Sequence, residues 1–397
     1  MEQIINSLLD TDLYKFSMGQ AIFHQFNDAK TTWTFTCRNK DVKFTTEMVE
    51  EIKRQIKLYC TLSFTEEELM YLLDKQVWFK ESYVDFLRYW HPRYEDFDIR
   101  QEGDCGLFIE TCGSWFNTSQ YETPVLAIVN EVYFRMNFDY PVLLDSFKQR
   151  LDEKVAKLKS GAYEIGSFSE FGMRRRLSFE AQDLMVRKLK ESDIPGFIGT
   201  SNVFLAMKYN LKAMGTMAHE WIMTVGQGYH EHNPAYSNKF ALDAWVKEYG
   251  VLNGIALTDT ITTDCFLKDF RLTYSKLFDG VRHDSGDPYE WGDKMIRHYR
   301  DLGINPEEKT LLFSDSLDFD RATAIYKYFK GKAKVAFGIG TFLSNDTCEK
   351  PLNIVMKVTE ANYSPVAKIS DTKGKSTCKD PAYIEYLLRC IEWRMTH

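Results

Sequence analysis

Arg282 and Asp284 stand in FDGVRHDSGDP, residues 278–288, where Gly286 and Pro288 permit a tight turn before a helix beginning near Tyr289. A guanidinium grips phosphate oxygens through paired N–H groups, and a carboxylate accepts hydroxyl protons or holds the water of a metal ion. About fifty residues later KVAFGIGT, residues 334–341, sets Gly338 and Gly340 at the end of an apolar run, with Thr341 next. Bare amides at such a strand end can approach a terminal phosphate closely. A ligand that needs all three features carries phosphate charge, hydroxyl groups and a divalent cation, which describes a phosphosugar. In isolation the aspartate reads equally well as a helix cap, and the glycine pair as a plain turn. Leu343 stands where a dinucleotide fingerprint needs its third glycine, and GKS at Gly374 lacks the upstream glycine of a phosphate-binding loop, since Ile369 is there.

Other candidates fall on comparable strand ends. His219, in GTMAHEW, and Asp259, in GIALTDT, form a pair in which the carboxylate takes one imidazole N–H and leaves the other nitrogen as nucleophile or base. Beside Trp221, His219 also reads as a structural residue. Phe171 and Arg174, in SEFGMRRR, offer a flat apolar face and a positive charge to an aromatic acid. Thr200 and Ser201, in GFIGTSNV, cap a helix or donate to a substrate carboxylate. His230 and His232 lack further ligands at metal spacing and read as exposed, and His283 is secondary to its neighbours.

The elements that must position these residues change character along the chain. Residues 1–140 mix types. An amphipathic stretch runs from Leu13 to Phe26, and TTWTFTCR puts Trp33, Phe35 and Cys37 on one strand face. Thr65 and Glu68 make a capping box, DIRQEGDCGLFIETCGSW reads as strands turning at glycine, and a longer helix spans Pro124 to Phe138. From about residue 160 short apolar runs each end in a polar loop followed by a helical pattern: IGSFSEFG, FIGTSN, GTMAHEW, GIALTDT, GVRHDSGD, LLFSDS and KVAFGIGT. This rhythm predicts parallel strands closing into an α/β barrel whose loops meet at one mouth. The expected division is an N-terminal α+β domain, 1–140, joined by the tail 352–397, and a barrel domain, 141–351.

With 397 residues, 44% hydrophobic and 27% charged, the chain has the make-up of a globular enzyme. A net charge of −7 argues against nucleic acid as the main partner. Its eight cysteines form no C-x-x-C pair and read as reduced thiols. The N-terminus carries acids where a secretion signal needs basic residues, and no apolar run reaches membrane-spanning length, so a cytoplasmic location without membrane contact is expected.

Read together, DTDLYKFSM, SEFGMRRR, GTSN, GTMAHEW, ALTDT, VRHDSGDP and FGIGT resemble the nicotinate phosphoribosyltransferases, of the type II phosphoribosyltransferases, from about Asp10 to the C-terminal region. The resemblance implies an irregular α/β barrel plus an open α/β domain, in a homodimer with shared active sites. It implies formation of nicotinate mononucleotide and pyrophosphate from nicotinate and phosphoribosyl pyrophosphate in NAD salvage, with Mg2+ and coupled ATP hydrolysis. His219 then matches the phosphorylated histidine and Asp259 its orienting carboxylate. Phe171 and the partner's Tyr14 match the walls of the pyridine slot. Arg282 and Asp284 match pyrophosphate and ribose ligands, Asp315 a ribose-side acid, and Gly338, Gly340 and Thr341 the 5′-phosphate cradle. Arg174, Thr200 and Ser201 fall where the substrate carboxylate and nearby phosphates are met. Relatives that use nicotinamide carry an aspartate near GTSN; a neutral Ser201 there favours an acid. The alternatives are a nicotinamide- or quinolinate-using enzyme of the same fold, or a non-catalytic sensor of NAD precursors.

Overall fold

The structure is a computed structural model that describes residues 1–372 and 376–397. The GKS motif at Gly374 therefore lies outside the described residues. Two sheets organise the chain. Seven parallel strands form a curled sheet in the order Lys212–Ala213, Phe197–Thr200, Ser167–Glu170, Lys334–Ile339, Thr310–Phe313, Gly280–His283 and Ile255–Leu257. Five antiparallel strands form the other, in the order Ser364–Pro365, Ile354–Ala361, Lys30–Cys37, Gly106–Ser114 and Phe97–Glu102.

The parallel strands are short and apolar because helices cover their outer face. Phe168, Val281, Leu311, Phe313 and Phe337 are all buried there. Side chains link the segment after one edge strand to the opposite end of the sheet: Thr216 Oγ1 donates to Ile255 O at 2.8 Å, and Arg282 Nη1 donates to Met217 O at 3.2 Å. All strands point the same way, so the loops after them open on one side. This is the irregular barrel with a second, open sheet that the strand rhythm predicts.

Several elements match their local signals. The helix Leu13–Gln25, the strand carrying Trp33 and Phe35 inward, and the capping box of Thr65 with Glu68 on Glu66–Lys75 all form. The helix expected from Pro124 starts earlier. It runs Trp115–Asn137, with Ser114 accepting from the Asn117 amide and Pro124 inside it. This helix is buried on nearly every side, so it has no amphipathic period to mark its start. GTMAHEW is a second correction: the strand there is only Lys212–Ala213, and His219 is the first residue of the helix His219–Gln227.

The C-terminal region divides between the sheets. Ile354–Ala361 pairs antiparallel with Lys30–Cys37, whereas the helix Pro381–Thr396 packs on Ala235, Ile261 and Cys265 and anchors Arg394 to Asp269. Between them, residues 367–372 cross the open side of the curled sheet. Ile369 N donates to Thr260 O at 2.8 Å, Asp371 N to Ser285 Oγ at 3.2 Å, and Thr263 N to Asp371 Oδ1 at 2.8 Å.

A buried ion pair fastens the N-terminus to the barrel. Arg176 Nη1 and Nη2 lie 2.6 and 2.8 Å from the two carboxylate oxygens of Asp10, and both residues are almost fully buried. Asn202 donates to Asp10 at 2.7 Å, and Gln182 Oε1 accepts from Arg176 at 3.0 Å. Removing one partner leaves a buried charge alone, so Arg176→Met is expected to cost about 3–5 kcal/mol in urea denaturation. The double variant Asp10→Leu with Arg176→Met is expected to cost less. A single variant as mild as the double contradicts this role for the pair.

Candidate functional site

Where the loops open, four groups crowd around one imidazole. His219 Nδ1 lies 2.9 Å from Thr260 Oγ1. Its Nε2 lies 2.9 Å from Asp284 Oδ2 and 2.8 Å from Lys368 Nζ, with Asp259 Oδ1 farther, at 3.9 Å. Lys368 Nζ is also 3.0 Å from Asp259 Oδ2 and 3.8 Å from Asp284 Oδ2. The nearest carboxylate to the ring is therefore Asp284, and Asp259, expected to orient the ring, faces the same nitrogen from farther away. Asp259 is fully buried; desolvation disfavours its charge, but His219, then Lys368, with the Ser285 hydroxyl, hold it below its ordinary value.

Nε2 sits between a donor, Lys368, and an acceptor, Asp284, so two tautomers of the neutral ring compete. The Thr260 hydroxyl, which both donates and accepts, satisfies Nδ1 in either one. Desolvation, then the Lys368 charge, pushes the His219 pKa below its ordinary value against the pull of Asp259 and Asp284. Desolvation disfavours ionised Asp284, but the hydrogen bond to His219 and the charge of Arg282 hold it well below the usual carboxylate range. Ser314 Oγ donates to its other oxygen at 3.0 Å. Donor atoms of His219, Asp259 and Asp284 lie within 4.8 Å of one another, a spacing that could hold a cation. The Lys368 ammonium already stands among them.

Arg282 projects inward in register with Leu257 and Leu312, and its Nε is buried without an acceptor among the described residues. Asp315, in the next strand's loop, is partly exposed and accepts from Ser316 Oγ at 2.9 Å. On the far side of the sheet Phe171 covers Gly338. A Cβ there would lie 2.2 Å from its ring, so the ring requires glycine at 338, whatever the backbone there binds. Gly340 and Thr341 remain partly exposed at the strand end.

Arg174 and Tyr14 meet through Glu122. Arg174 Nη1 is 3.4 Å from Glu122 Oε1, and the Tyr14 hydroxyl donates to Oε2 at 3.3 Å. Lys15, fully buried, reaches Glu122 at 2.7 Å and also pairs with Glu220. Thr200 and Ser201 are less available than expected. Thr200 Oγ1 donates to the buried Glu170 at 2.6 Å, and Ser201 Oγ donates to Asp12 at 2.5 Å. Both hydroxyl protons are committed, and Asn202, not either of them, caps the following helix. Burial raises Glu170 to about 7 despite these donors, and burial also raises Asp12.

Three further cationic groups gather here, of which only Arg175 lies in a motif the sequence marks. Burial, then Arg38 and Lys368, push Lys357 down to about 8, and burial with Arg174 and Arg38 pushes Arg175 down to about 10. Arg38, Lys357 and Arg175 come together because the strand after residue 353 pairs with Lys30–Cys37, a contact spanning more than 300 residues. Their surplus positive charge suits a polyanion. Elsewhere, His232 is not exposed as expected: its ring stacks on Phe240 at 3.8 Å and Nδ1 bonds Val225 O. His283 is a core residue between Trp291 and Phe313. No described helix is long and apolar enough to cross a membrane.

A sequence model of the nicotinate phosphoribosyltransferase N-terminal domain matches residues 9–130, and one of the nicotinate phosphoribosyltransferase family matches residues 167–391. The chain belongs to the nicotinate phosphoribosyltransferase family. It is 44% identical over 388 residues to the nicotinate phosphoribosyltransferase of Ralstonia pickettii, covering 97% of this chain and 98% of the relative. A 44% match to the Bordetella petrii nicotinate phosphoribosyltransferase covers 98% and 99%. The crystal structure of the Vibrio cholerae nicotinate phosphoribosyltransferase superposes with a TM-score of 0.91 at 38% identity, over 98% of this chain and 94% of that one. That of the Porphyromonas gingivalis nicotinate phosphoribosyltransferase gives 0.91 at 34%, over 98% and 100%.

For this member of the family, the His219 environment has a pH consequence. The folded ring binds its proton less readily than the unfolded one, so protonation favours unfolding, and stability from this group falls as pH drops below about 6.5. Replacing Lys368 with Met removes a charge that opposes protonation. His219 in that variant is expected to titrate at higher pH than in the parent, read from the histidine ring nitrogens by NMR. An unmoved titration would show that the ammonium does not face the ring.

Proposed function

We propose that this protein is a nicotinate phosphoribosyltransferase that joins nicotinate to phosphoribosyl pyrophosphate, forming nicotinate mononucleotide and releasing pyrophosphate, with ATP hydrolysis coupled through His219. The observation that carries the reading is the match to enzymes of that name over 97% of the chain, with the histidine, carboxylates and cations above at a single mouth.

Bond breaking at the ribose C1 builds positive charge on the sugar and negative charge on the departing diphosphate. Arg282, with the Arg38, Lys357 and Arg175 group, receives the diphosphate. Asp284 and Asp315 accept ribose hydroxyl protons, and the amides at Gly340 and Thr341 face the 5′-phosphate. Phe171 supplies one wall for the pyridine, and Arg174 its carboxylate partner. Tyr14 of a second copy serves as the other wall in the homodimer. Mg2+, when bound, neutralises diphosphate oxygens. Such an ion favours substrate phosphates with one or two carboxylates, and Asp284 and Asp315 are the acids that would hold it. In the tautomer with Nδ1–H on Thr260, Nε2 of His219 presents a lone pair for the γ-phosphoryl group of ATP. Phosphorylation adds roughly −2 charge beside Lys368 and shifts substrate affinity.

One observation favours a second reading. Asp12, one hydrogen bond from Ser201, could accept from the amide of nicotinamide. Competition among nicotinate, nicotinamide and quinolinate for turnover separates the two.

The purified protein with Mg2+ is expected to convert labelled nicotinate and phosphoribosyl pyrophosphate to the mononucleotide, with ATP raising the yield. Folded protein that leaves nicotinate unconverted refutes the proposal. His219→Ala is expected to abolish ATP hydrolysis while retaining slow uncoupled transfer; intact coupling in that variant removes His219 from the mechanism.

A further inference from the structure

Away from the barrel mouth, three helices bring Ser82, His24 and Glu248 into line. Ser82 is the second residue of Glu81–Tyr89, His24 lies in the last turn of Leu13–Gln25, and Glu248 in the last turn of Ser237–Tyr249. His24 Nδ1 is 2.9 Å from Glu248 Oε1, and its Nε2 is 3.1 Å from Ser82 Oγ. A carboxylate on Nδ1 holds the proton there and leaves the Nε2 lone pair to accept the serine proton, which is the polarity an acyl-transfer relay needs.

The surroundings support the arrangement. Glu248 is buried, and its Oε1 also accepts from Lys80 Nζ at 2.8 Å, so the carboxylate is held in place. The base and nucleophile helices are locked together through Phe23, whose ring packs on Tyr83 at 6.1 Å and on Phe86 at 4.6 Å. Ser82 is exposed to solvent, so a substrate can reach it. Glu81 and Ser82 occupy the first turn of their helix, where amides have no partner within the helix and can face a developing oxyanion. None of these residues belongs to the His219 site.

We propose that Ser82, His24 and Glu248 form a second reactive centre that accepts acyl groups from small activated carboxylic esters. Ser82 Oγ bonds to the ester carbonyl carbon while its proton passes to His24 Nε2. The carbon–oxygen bond to the alcohol then breaks, and the alcohol leaves with that proton. Water, deprotonated in turn by His24, releases the acid and restores Ser82.

The full-length protein is treated with p-nitrophenyl acetate and separately with a fluorophosphonate, and adducts are mapped by peptide mass spectrometry. A single adduct on Ser82 is expected in both cases. His24→Gln is expected to slow its formation about 100-fold, the usual worth of a general base, and Glu248→Gln to slow it as well. Ser82→Ala is expected to lose the adduct while retaining pyridine phosphoribosyl transfer, which serves as the check on folding. No adduct on Ser82, or equal rates in the parent and His24→Gln, overturns the proposal.

Discussion

Two carboxylates beside one imidazole cannot stay ionised without a cation among them, and here the cation is Lys368. Its ammonium lies 2.8 Å from His219 and 3.0 Å from Asp259, with Asp284 at 3.8 Å. With His219 neutral, the two acids are balanced by Lys368 and by Arg282, whose charge acts on Asp284. Like charges at such separations are costly in a poorly solvated pocket. The position of this one ammonium therefore decides whether His219 has a lone pair to use.

That requirement explains the chain's path after the barrel. Lys368 belongs to neither sheet; it rides on the crossing segment that Thr260, Thr263 and Ser285 hold by hydrogen bonds. The same return of the chain places the strand Ile354–Ala361 beside Lys30–Cys37, and so brings Lys357 to Arg38 and Arg175. A local net charge that is positive, in a protein that is −7 overall, is thus made by topology rather than by composition. The buried Asp10–Arg176 pair does the corresponding work at the N-terminus, fixing the segment that carries Tyr14 and Lys15 against the barrel.

The parts legible in the sequence are those with a local signal. Short apolar runs ending in polar loops marked six of the seven parallel strands, because residues buried on both faces have little choice of type. His219, Arg282 and Asp284 were visible as unusual groups at the ends of such runs. Lys368 was not, since a lysine two residues after Val366 looks like any solvated charge until the chain is seen to cross the mouth. Asp259 is legible as a neighbour of His219 because both lie in strand-end loops; that Asp284 comes closer to the ring, and that Lys368 joins both acids, depends on the chain crossing the mouth. Gly338 was legible as a position that needs glycine, but the neighbour that needs it is Phe171, which sequence distance hides. The hydroxyls of Thr200 and Ser201 were seen without the buried acids, Glu170 and Asp12, that claim their protons.

The central claim is that Thr260 and Lys368 together present His219 Nε2, and not Nδ1, to an electrophile. Proton–phosphorus correlation NMR on the protein quenched during ATP turnover identifies which ring nitrogen carries phosphate. Phosphate on Nε2 of His219 is the expected result. Phosphate on Nδ1, or on a different residue, contradicts it.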